Sequence, residues 1–429
     1  MLLLQWALRC RKAYFLVLLV SSFTVACVAE NMTHNEPTQV NPLPESTSGI
    51  DEVTLTPVYV ETEELLITNK DVHDSPAEGI NYCANFGSNS SYVWSPDGQY
   101  LVAVVTDYVE SGNVYGLFIV EPLKIWQNEP DQIPIFVETL ADSPNHYHLS
   151  WTSDSANLVI LITSNTQLVS RTIPLATVIN LTTSEQADNS TIILHAGRRV
   201  MSPVWSPDEE TIAFIGVDGL NLSSRDGSVV NLMASENDHF GVDQSVWSPD
   251  GQLLAFLRYE HDRTEDIYTG NIYIISKDGH IVRQLTSVTT CAQEPQWSPD
   301  GSKILYTSFE AGNWNIYAVN VDGSEPVKLT ESEGDEYDAQ WSPDGSQIVF
   351  ISHEGVYGIP ELSTTALFIM NSDGSNLRPL INSPEIFVSS PAWSPDGQFI
   401  TYFAVNYRTD EANLHMTHVA TGEDVVLIE

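Results

Sequence analysis

The pentapeptide WSPDG, which first occurs at Trp94–Gly98, is repeated along this chain of 429 residues. The further intact copies are Trp247–Gly251, Trp297–Gly301, Trp341–Gly345 and Trp393–Gly397. Two degenerate copies, WSPD at Trp205–Asp208 and WTSD from Trp151, complete the series. The seven tryptophans are 42 to 57 residues apart. A period of this length is typical of propellers, solenoids and linear arrays.

The interior of the repeat at residues 293–330 distinguishes among these architectures. A short segment ends at Trp297, and a tight turn leads into KILYTS, NIYAVNV and PVKLT. These four segments are rich in β-branched and aromatic residues, and no stretch of helical period separates them. Each repeat therefore predicts a sheet of four short antiparallel strands.

The turn residues support this prediction. In SPDG, proline sets φ for the first corner of a type I turn, and glycine adopts the left-handed conformation that closes a bulged hairpin. A second reversal repeats the Asp-Gly pair in RDG (Arg225–Gly227), KDG (Lys277–Gly279), VDG (Val321–Gly323) and SDG (Ser372–Gly374). Where Gly98 is replaced by Glu209 or Ala156, we expect a looser hairpin.

Large apolar groups explain how such sheets stabilise one another. A tryptophan at a fixed position provides about 150–250 Å² of contact area, and a continuous apolar strand follows each one, as in LVAVV (101–105) and IVFI (348–351). Sheets buried on both faces stack in a circle and leave only short edges. The predicted fold class is all-β: a β-propeller of four-stranded antiparallel blades, with seven blades, or six if the Trp151 copy is an insertion.

The order of motifs in this repeat resembles the TolB-type β-propeller repeat, which is also found in relatives of prolyl oligopeptidase. The motifs are WSPDG, an apolar strand, I-Y-x-(V/M), D-G and L-T. The resemblance runs from about Asn81 to the C-terminus, and we place the propeller at residues 76–429. It implies a periplasmic protein partner such as a peptidoglycan-associated lipoprotein. TolB itself has six blades and an additional α/β domain, for which residues 28–74 are too short. ELLIT (Glu64–Thr68) resembles a fourth strand that could latch the ring.

The N-terminal residues predict export. Arg9, Arg11 and Lys12 precede an apolar segment at residues 13–26, so residues 1–26 are interpreted as an export signal peptide. Cys27 lies in a lipobox-like context and is the predicted site of lipidation; cleavage after Ala26 or Ala29, or an uncleaved anchor, are the alternatives. Residues 27–75 are rich in Glu, Thr, Asn, Pro and Ser and predict a polar tether.

Two cysteines remain in the predicted propeller, Cys83 and Cys291. An oxidising compartment permits one disulfide between them, and two free buried thiols are the alternative.

The charge balance excludes some partners. The chain has 57 acidic and 17 basic residues, a net charge of −40. Nucleic acids and anionic lipid surfaces are therefore poor partners. We expect a protein or peptide partner, with membrane association only through the N-terminal lipid.

No residue pattern predicts catalysis, a cofactor or a metal site. The WSPDG aspartates are spread one per blade, whereas Ca²⁺ needs six to eight converging oxygens. ESEGDEYD (Glu331–Asp338) is interpreted as a solvated acidic loop. His146 and His148 share a strand face but lack further zinc ligands, His415 and His418 lie on opposite faces, and no G-x-S-x-G motif is present.

The sequence therefore predicts a non-catalytic binding or scaffold protein of the cell envelope. An enzyme acting on a sugar or lactone in the central channel is the alternative, and several carboxylates or histidines converging on one end of the channel would favour it. A structural stalk protein is a third possibility. A partner is expected at the connecting loops, which are Thr106–Tyr115, Trp126–Pro134, Asn180–Ser190, Tyr259–Gly270 and His353–Thr365.

Overall fold

The computed structural model describes most of the chain from residue 92 to residue 428. The segments within this range that it does not describe are 110–111, 130–133, 141–146, 164–166, 177–190, 197–199, 235–239, 263–266, 281, 289–290, 311, 356–362, 407 and 410. The predicted signal peptide, tether, Cys27, Cys83 and ELLIT segment all lie outside the described residues.

The described residues form seven four-stranded antiparallel sheets, each made of four consecutive strands, which confirms the seven-bladed propeller. Blades 1 to 3 are β1 (Tyr92–Trp94), β2 (Leu101–Val109), β3 (Gly112–Val120), β4 (Ile135–Leu140); β5 (Tyr147–Trp151), β6 (Asn157–Thr163), β7 (Gln167–Pro174), β8 (Thr191–Ala196); and β9 (Val200–Trp205), β10 (Thr211–Gly216), β11 (Gly219–Ser224), β12 (Val229–Ala234). Blades 4 and 5 are β13 (Phe240–Trp247), β14 (Leu253–Asp262), β15 (Ile267–Ser276), β16 (Val282–Gln284); and β17 (Ala292–Trp297), β18 (Lys303–Ser308), β19 (Asn315–Asn320), β20 (Val327–Lys328). Blades 6 and 7 are β21 (Asp335–Trp341), β22 (Gln347–Gly355), β23 (Ser363–Asn371), β24 (Arg378–Asn382); and β25 (Ile386–Trp393), β26 (Phe399–Asn406), β27 (Ala412–His418), β28 (Asp424–Ile428).

The WSPDG turn forms as predicted. In blade 1 the Gly98 amide donates to the Ser95 carbonyl at 2.9 Å, and Gly98 has φ +71°. Ser95 has a role that the sequence did not reveal: its Oγ donates to Asp97 Oδ1 at 2.6 Å and accepts from the Tyr100 amide at 2.9 Å. The same three-residue pattern recurs in blade 5, where Ser298 and Ser302 lower the pKa of Asp300 to about 2. The aspartates are turn residues.

The two degenerate copies correct our expectation of looser hairpins. Glu209 and Ser155 occupy the glycine position with φ +60° and +59°, so the substituted residue in blade 2 is Ser155 and not Ala156. Their amides still close the turn, at 2.9 Å to Ser206 and 2.8 Å to Thr152. The turn geometry is therefore kept at the cost of left-handed backbone strain, about 1–2 kcal/mol for each residue with a Cβ.

The tryptophans bind consecutive first strands together. Trp297 Nε1 donates to the Val246 carbonyl of the preceding blade at 3.2 Å, and Trp247 Nε1 donates to the Val204 carbonyl at the same distance. Trp151 and Trp393 repeat this bond. Because first strands contact first strands from blade to blade, they are the innermost strands and line the central channel.

Seven hydrophobic clusters fill the seven seams between neighbouring blades. The seam between blades 7 and 1 shows how the ring closes. The Tyr92 hydroxyl donates to the Thr401 carbonyl at 2.9 Å, and Trp94 Nε1 donates to Thr401 Oγ1 at 3.1 Å. Closure among the described residues therefore rests on side-chain packing, because blade 7 supplies all four of its own strands.

A short helix strengthens the closing seam. Helix α1 (Pro122–Trp126) lies between β3 and β4 of blade 1 and contacts β28 of blade 7. The Trp126 ring lies 5.1 Å from that of Phe399 and stacks on His418 at 5.9 Å. In the part of the chain that the structure describes, no helix has the length and apolar character needed to cross a membrane.

We define the upper face as the end at which the innermost strands begin; the WSPDG turns lie on the opposite, lower face. Three of the predicted connecting loops are wrong at their ends, which are paired strands at the upper face, and their central residues 110–111, 263–266 and 356–362 lie outside the described residues. Thr106 pairs with Tyr115, Tyr259 with Gly270, and His353 with Thr365. The polar residues in these segments indicated loops, although the ends of the segments are paired strands. The predicted loop Asn180–Ser190 lies outside the described residues.

Candidate functional site

A ring of polar residues lies in the central channel, three positions before each tryptophan. In five blades this residue has left-handed backbone geometry, with φ between +46° and +56°: Ser202, Gln244, Glu294, Asp338 and Ser390. We call these five residues the channel ring. His148 occupies the corresponding position in β5 of blade 2, where the strand pairing is regular. The equivalent in blade 1, Ser91, lies outside the described residues.

The left-handed geometry comes from a β-bulge in each innermost strand. In blade 5, Gln293 pairs with Thr307 and Gln296 with Leu305, so Glu294 and Pro295 together face one residue of β18. Register shifts at corresponding positions occur in blades 3, 4, 6 and 7. A bulge bends the strand and redirects a side chain. Four of the five ring residues are half-buried on these innermost strands, and the fifth, Asp338, is buried.

Hydrogen bonds connect the ring from blade to blade. The Glu294 amide donates to Gln244 Oε1 at 2.7 Å, and the Asp338 amide donates to Glu294 Oε2 at 3.2 Å. Beside Gln244, Asp243 Oδ1 accepts from the Gln244 amide at 2.8 Å and from Ser202 Oγ at 3.2 Å. Ring side chains thus satisfy backbone amides that the bulges leave unpaired.

Two acids in this ring interact electrostatically. Burial raises the pKa of Glu294 to about 8, and the negative charge of Asp338 contributes to the increase. Thr307 Oγ1 donates to Glu294 Oε2 at 3.1 Å, which favours the ionised form but does not offset the burial. Near neutral pH, Glu294 is therefore largely protonated beside a second carboxyl group.

The seam between blades 5 and 6 continues from Glu294 into the fold. Gln293 and Glu336 are 0% and 1% exposed and lie on the facing sides of these two blades. Among the described residues, Gln293 Oε1, Gln293 Nε2, Glu294 Oε1 and Glu336 Oε2 are buried without a hydrogen-bond partner. Burial also raises the pKa of Glu336. We call these three residues and Thr307 the seam pocket.

This arrangement corrects the prediction for Glu331–Asp338. The segment is not simply a solvated acidic loop, because Glu336 and Asp338 are buried. Glu336 Oε1 accepts from Ser332 Oγ, and the Glu336 amide donates to the Trp314 carbonyl at 2.9 Å. Alternating side chains of β21 carry these acids into the fold, whereas composition alone indicated solvent exposure.

Of the other predicted residues, His148 occupies the ring position of blade 2, and His146 lies outside the described residues. Cys291 is disulfide-bonded, its partner lies outside the described residues, and pairing with Cys83 stays a prediction. His415 Nδ1 lies 2.7 Å from Asp424 Oδ2, and His418 stacks on Trp126. No group of three or more His, Cys, Asp or Glu side chains within the described ranges is arranged to hold a metal ion.

The ring itself was missed from the sequence, although a signal was present. Three blades read polar-Pro-x-Trp, at Ser202–Trp205, Glu294–Trp297 and Ser390–Trp393. Proline inside a strand marks an edge or a bulge, because it cannot donate to the ladder. The position of this proline two residues before the repeated tryptophan therefore indicates an irregular innermost strand.

Comparison with known proteins agrees with the repeat and the architecture. Residues 179–360 match the family described as "TolB beta propeller domain". The matched residues lie within the seven-bladed propeller. A segment of 120 residues is 31% identical to "Protein TolB homolog" of Chlorobium luteolum and covers 26% of this chain and 24% of that protein. A segment of 61 residues is 44% identical to "Uncharacterized peptidase YuxL" of Bacillus subtilis, covering 14% and 8%. The matched segments thus span less than a quarter of either relative.

Solved structures of other propeller proteins share this fold. Puromycin hydrolase is 16% identical with a TM-score of 0.56, over 77% of this chain and 52% of that one. Oligogalacturonate lyase from Vibrio parahaemolyticus is 13% identical with a TM-score of 0.55, over 77% and 89%. At these identities the likeness concerns the fold alone.

Proposed function

We propose that this chain is a non-catalytic binding or scaffold protein of the cell envelope that holds a protein or peptide partner at the channel ring. One observation carries the proposal. The five bulged blades give their ring residue the same backbone conformation, yet the side chains differ: Ser, Gln, Glu, Asp and Ser. At the tryptophan three residues later, all seven blades are identical.

Gln244 and Glu294 also accept hydrogen bonds from backbone amides of the next blade, so assembly accounts for part of the ring but not for its varied side-chain chemistry. Glycine adopts the left-handed conformation without strain, whereas a residue with a Cβ costs about 1–2 kcal/mol there. The chain uses glycine at the left-handed position of five WSPDG turns, including Gly98 and Gly301, but at none of the five ring positions. Retaining polar side chains at a strained position favours a role in recognition.

The ring offers the chemistry that an extended peptide needs. Gln244 supplies an amide, Ser202 and Ser390 supply hydroxyl groups, and Glu294 and Asp338 supply carboxyl groups. Peptide amides and carbonyls need both acceptors and donors. The three extended hairpins of blades 1, 4 and 6 lie at the upper face, around the same end of the channel.

The envelope location rests on the N-terminal sequence and on the TolB-type repeat. The predicted signal peptide and Cys27 favour an exported chain anchored by a lipid, on the periplasmic or extracellular side. Mass analysis of the mature N-terminus tests this location. An acylated Cys27 supports it, and an unmodified chain that retains residues 1–26 contradicts it.

The binding proposal is tested by affinity capture from native envelope with the full-length chain. The ring variant Gln244→Gly/Asp338→Gly removes an amide and a carboxylate at positions whose left-handed backbone glycine adopts without strain, and it also removes the acceptor of the Glu294 amide. The matched control is Val230→Ser, on the outer strand of blade 3, where the side chain is 59% exposed. We expect a partner that the control retains and the ring variant loses. Equal capture by both contradicts the proposal.

A second candidate function is supported by the pair Glu294 and Asp338. A carboxyl group that stays protonated near neutral pH beside a second acid is suited to general acid and base roles. This would make the chain a propeller hydrolase or lyase acting on a sugar or lactone, as the shared fold with oligogalacturonate lyase permits. Turnover of oligogalacturonate or lactones that is lost in Glu294→Gln and in Asp338→Asn would favour it over the binding role.

A further inference from the structure

We propose that the seam pocket between blades 5 and 6 receives a cationic side chain, an ammonium or a guanidinium group, from the partner peptide. This inference rests on the proposed binding function and names the chemistry of the group that is bound. The pocket residues are Gln293, Glu294, Thr307 and Glu336.

Register places the pocket residues together. Gln293 is directly paired with Thr307, so their side chains lie on one face of blade 5, the face toward blade 6. Thr307 Oγ1 reaches Glu294 Oε2 at 3.1 Å. Glu336 pairs with Ser352 on the side of blade 6 that faces blade 5. Glu294 also belongs to the channel ring, and its carboxyl group is buried beside Thr307.

The unsatisfied atoms define the ligand chemistry. Glu294 Oε1, Glu336 Oε2 and Gln293 Oε1 are buried acceptors without a donor among the residues that the structure describes. A buried polar atom without a partner costs about 1–3 kcal/mol, and such atoms are rare. Ammonium and guanidinium groups carry three and five donors and no acceptor. Three of the four unsatisfied atoms at this seam are acceptors, which matches this type of group, and the fourth is the Gln293 Nε2 donor.

The residues that the structure describes supply no counter-ion to the pocket. Within the described residues, no lysine or arginine forms an ion pair with Glu294 or Glu336. Lys328, the basic residue that influences Glu336, is paired with Glu331 at 3.5 Å. A cation from the partner would supply the missing positive charge.

The charged group that acts on Glu294 is the carboxyl group of Asp338. Asp338 and Glu336 lie on β21 of blade 6, and Asp243 lies on β13 of blade 4. Arg258 on β14 packs against the ring of Tyr273, on the side of blade 4 that faces blade 3. A bound cation therefore favours the ionised form of Glu294, whose pKa is about 8 in the free protein. Binding at pH 7 should release a proton from Glu294.

Isothermal titration calorimetry with the full-length chain tests this proposal. The probes are three acetylated, amidated glycine pentapeptides whose central residue is arginine, lysine or the neutral arginine analogue citrulline. We expect a cationic peptide to bind at least about tenfold more tightly than the citrulline peptide. The stronger of the two cationic peptides identifies the group as guanidinium or ammonium.

Proton release provides the second readout, from titrations in buffers of different ionisation enthalpy. Release should approach one proton per peptide at pH 7 and fall towards zero at pH 9, where Glu294 is already ionised. Glu294→Gln should abolish the release and weaken binding about tenfold or more. The control Glu325→Gln removes an exposed acid of the same blade and should change neither.

Three results would overturn the inference: no binding of either cationic peptide, equal binding of the citrulline peptide, or proton release that persists in Glu294→Gln. The first would mean that the pocket holds only water. Failure of this inference is distinguishable from failure of the proposed function. In the former case the envelope partner is still lost from Gln244→Gly/Asp338→Gly; in the latter, that variant captures it as well as the wild type does.

Discussion

The innermost strands carry two sets of equivalent residues, the tryptophans and the channel ring, and the two sets differ in how closely their side chains agree from blade to blade. At the tryptophan level the side chain is identical in all seven blades, and its indole bonds to the neighbouring blade in at least four of them. Three residues earlier, at the channel ring, the bulged backbone is repeated in five blades but the side chain is not. At the tryptophans both the backbone geometry and the side chain are repeated, so these residues serve assembly. At the channel ring only the backbone geometry is repeated, so the side chains are free to serve recognition.

The WSPDG turns on the lower face, like the tryptophans, contact the neighbouring blade. A Cβ atom on Gly251 would lie 3.4 Å from Cδ of Pro207 in the preceding blade, and one on Gly345 would lie 3.5 Å from Cδ of Pro299. The proline and glycine of WSPDG therefore contact each other between blades as well as forming the turn. Every residue of the pentapeptide has a structural role, which explains its repetition without reference to chemistry.

The largest expected effect is at the tryptophan level. Trp297→Ala removes an indole that packs in the cluster between blades 4 and 5 and donates to the Val246 carbonyl. We expect a loss of about 3–5 kcal/mol in the free energy of unfolding. Urea denaturation measures it, and a variant as stable as the wild type would contradict the assigned packing.

At the ring level, Glu294 should make stability depend on pH. Its pKa lies near 8 in the folded protein and near its ordinary value of 4.5 in the unfolded chain, so the folded state holds the proton longer. Stability is therefore lost as pH rises from about 4.5 to about 8. In Glu294→Gln the urea midpoint should fall less between pH 5 and pH 8.5. Parallel curves for wild type and variant would refute the raised pKa, and Glu325→Gln is the control.

A smaller difference should separate two tryptophans. Trp297 Nε1 donates to a carbonyl, whereas Trp341 Nε1 is buried without an acceptor in the described part of the chain. Phenylalanine removes a hydrogen bond in the first case and an unsatisfied donor in the second. Trp297→Phe should therefore cost about 1–2 kcal/mol more than Trp341→Phe in thermal or urea unfolding. Equal costs would show that the indole bonds do not hold the blades together.

The smallest effect is expected for glycine in the ring. Ser202→Gly and Ser390→Gly relieve left-handed strain but increase the entropy of the unfolded chain. Their net effect on the free energy of unfolding should lie between zero and about 1 kcal/mol of stabilisation. Marked destabilisation by either substitution, measured by urea unfolding, would assign the ring side chains to assembly.

The sequence predicted the parts of this molecule that repeat. The WSPDG pentapeptide contains residues with strong preferences for turns or for packing: Trp94, Pro96, Asp97 and Gly98. Its repetition showed that these residues have the same role in each blade. The ring was not predicted because the side chains of Gln244 and Glu294 are ordinary polar residues whose placement depends on bulges formed across two strands. Glu336 was misjudged because its burial depends on a neighbouring blade. The N-terminal features, including Cys27 and Cys83, stay predictions.

The separation of assembly from recognition is tested most directly by the affinity of the captured envelope partner for Gln244→Gly/Asp338→Gly. We predict a variant that remains folded, with a lower unfolding midpoint because the Glu294 amide loses Gln244 Oε1 as its acceptor, and that binds the partner at least about tenfold more weakly. A folded variant with wild-type affinity would contradict the assignment of the channel ring as the recognition surface.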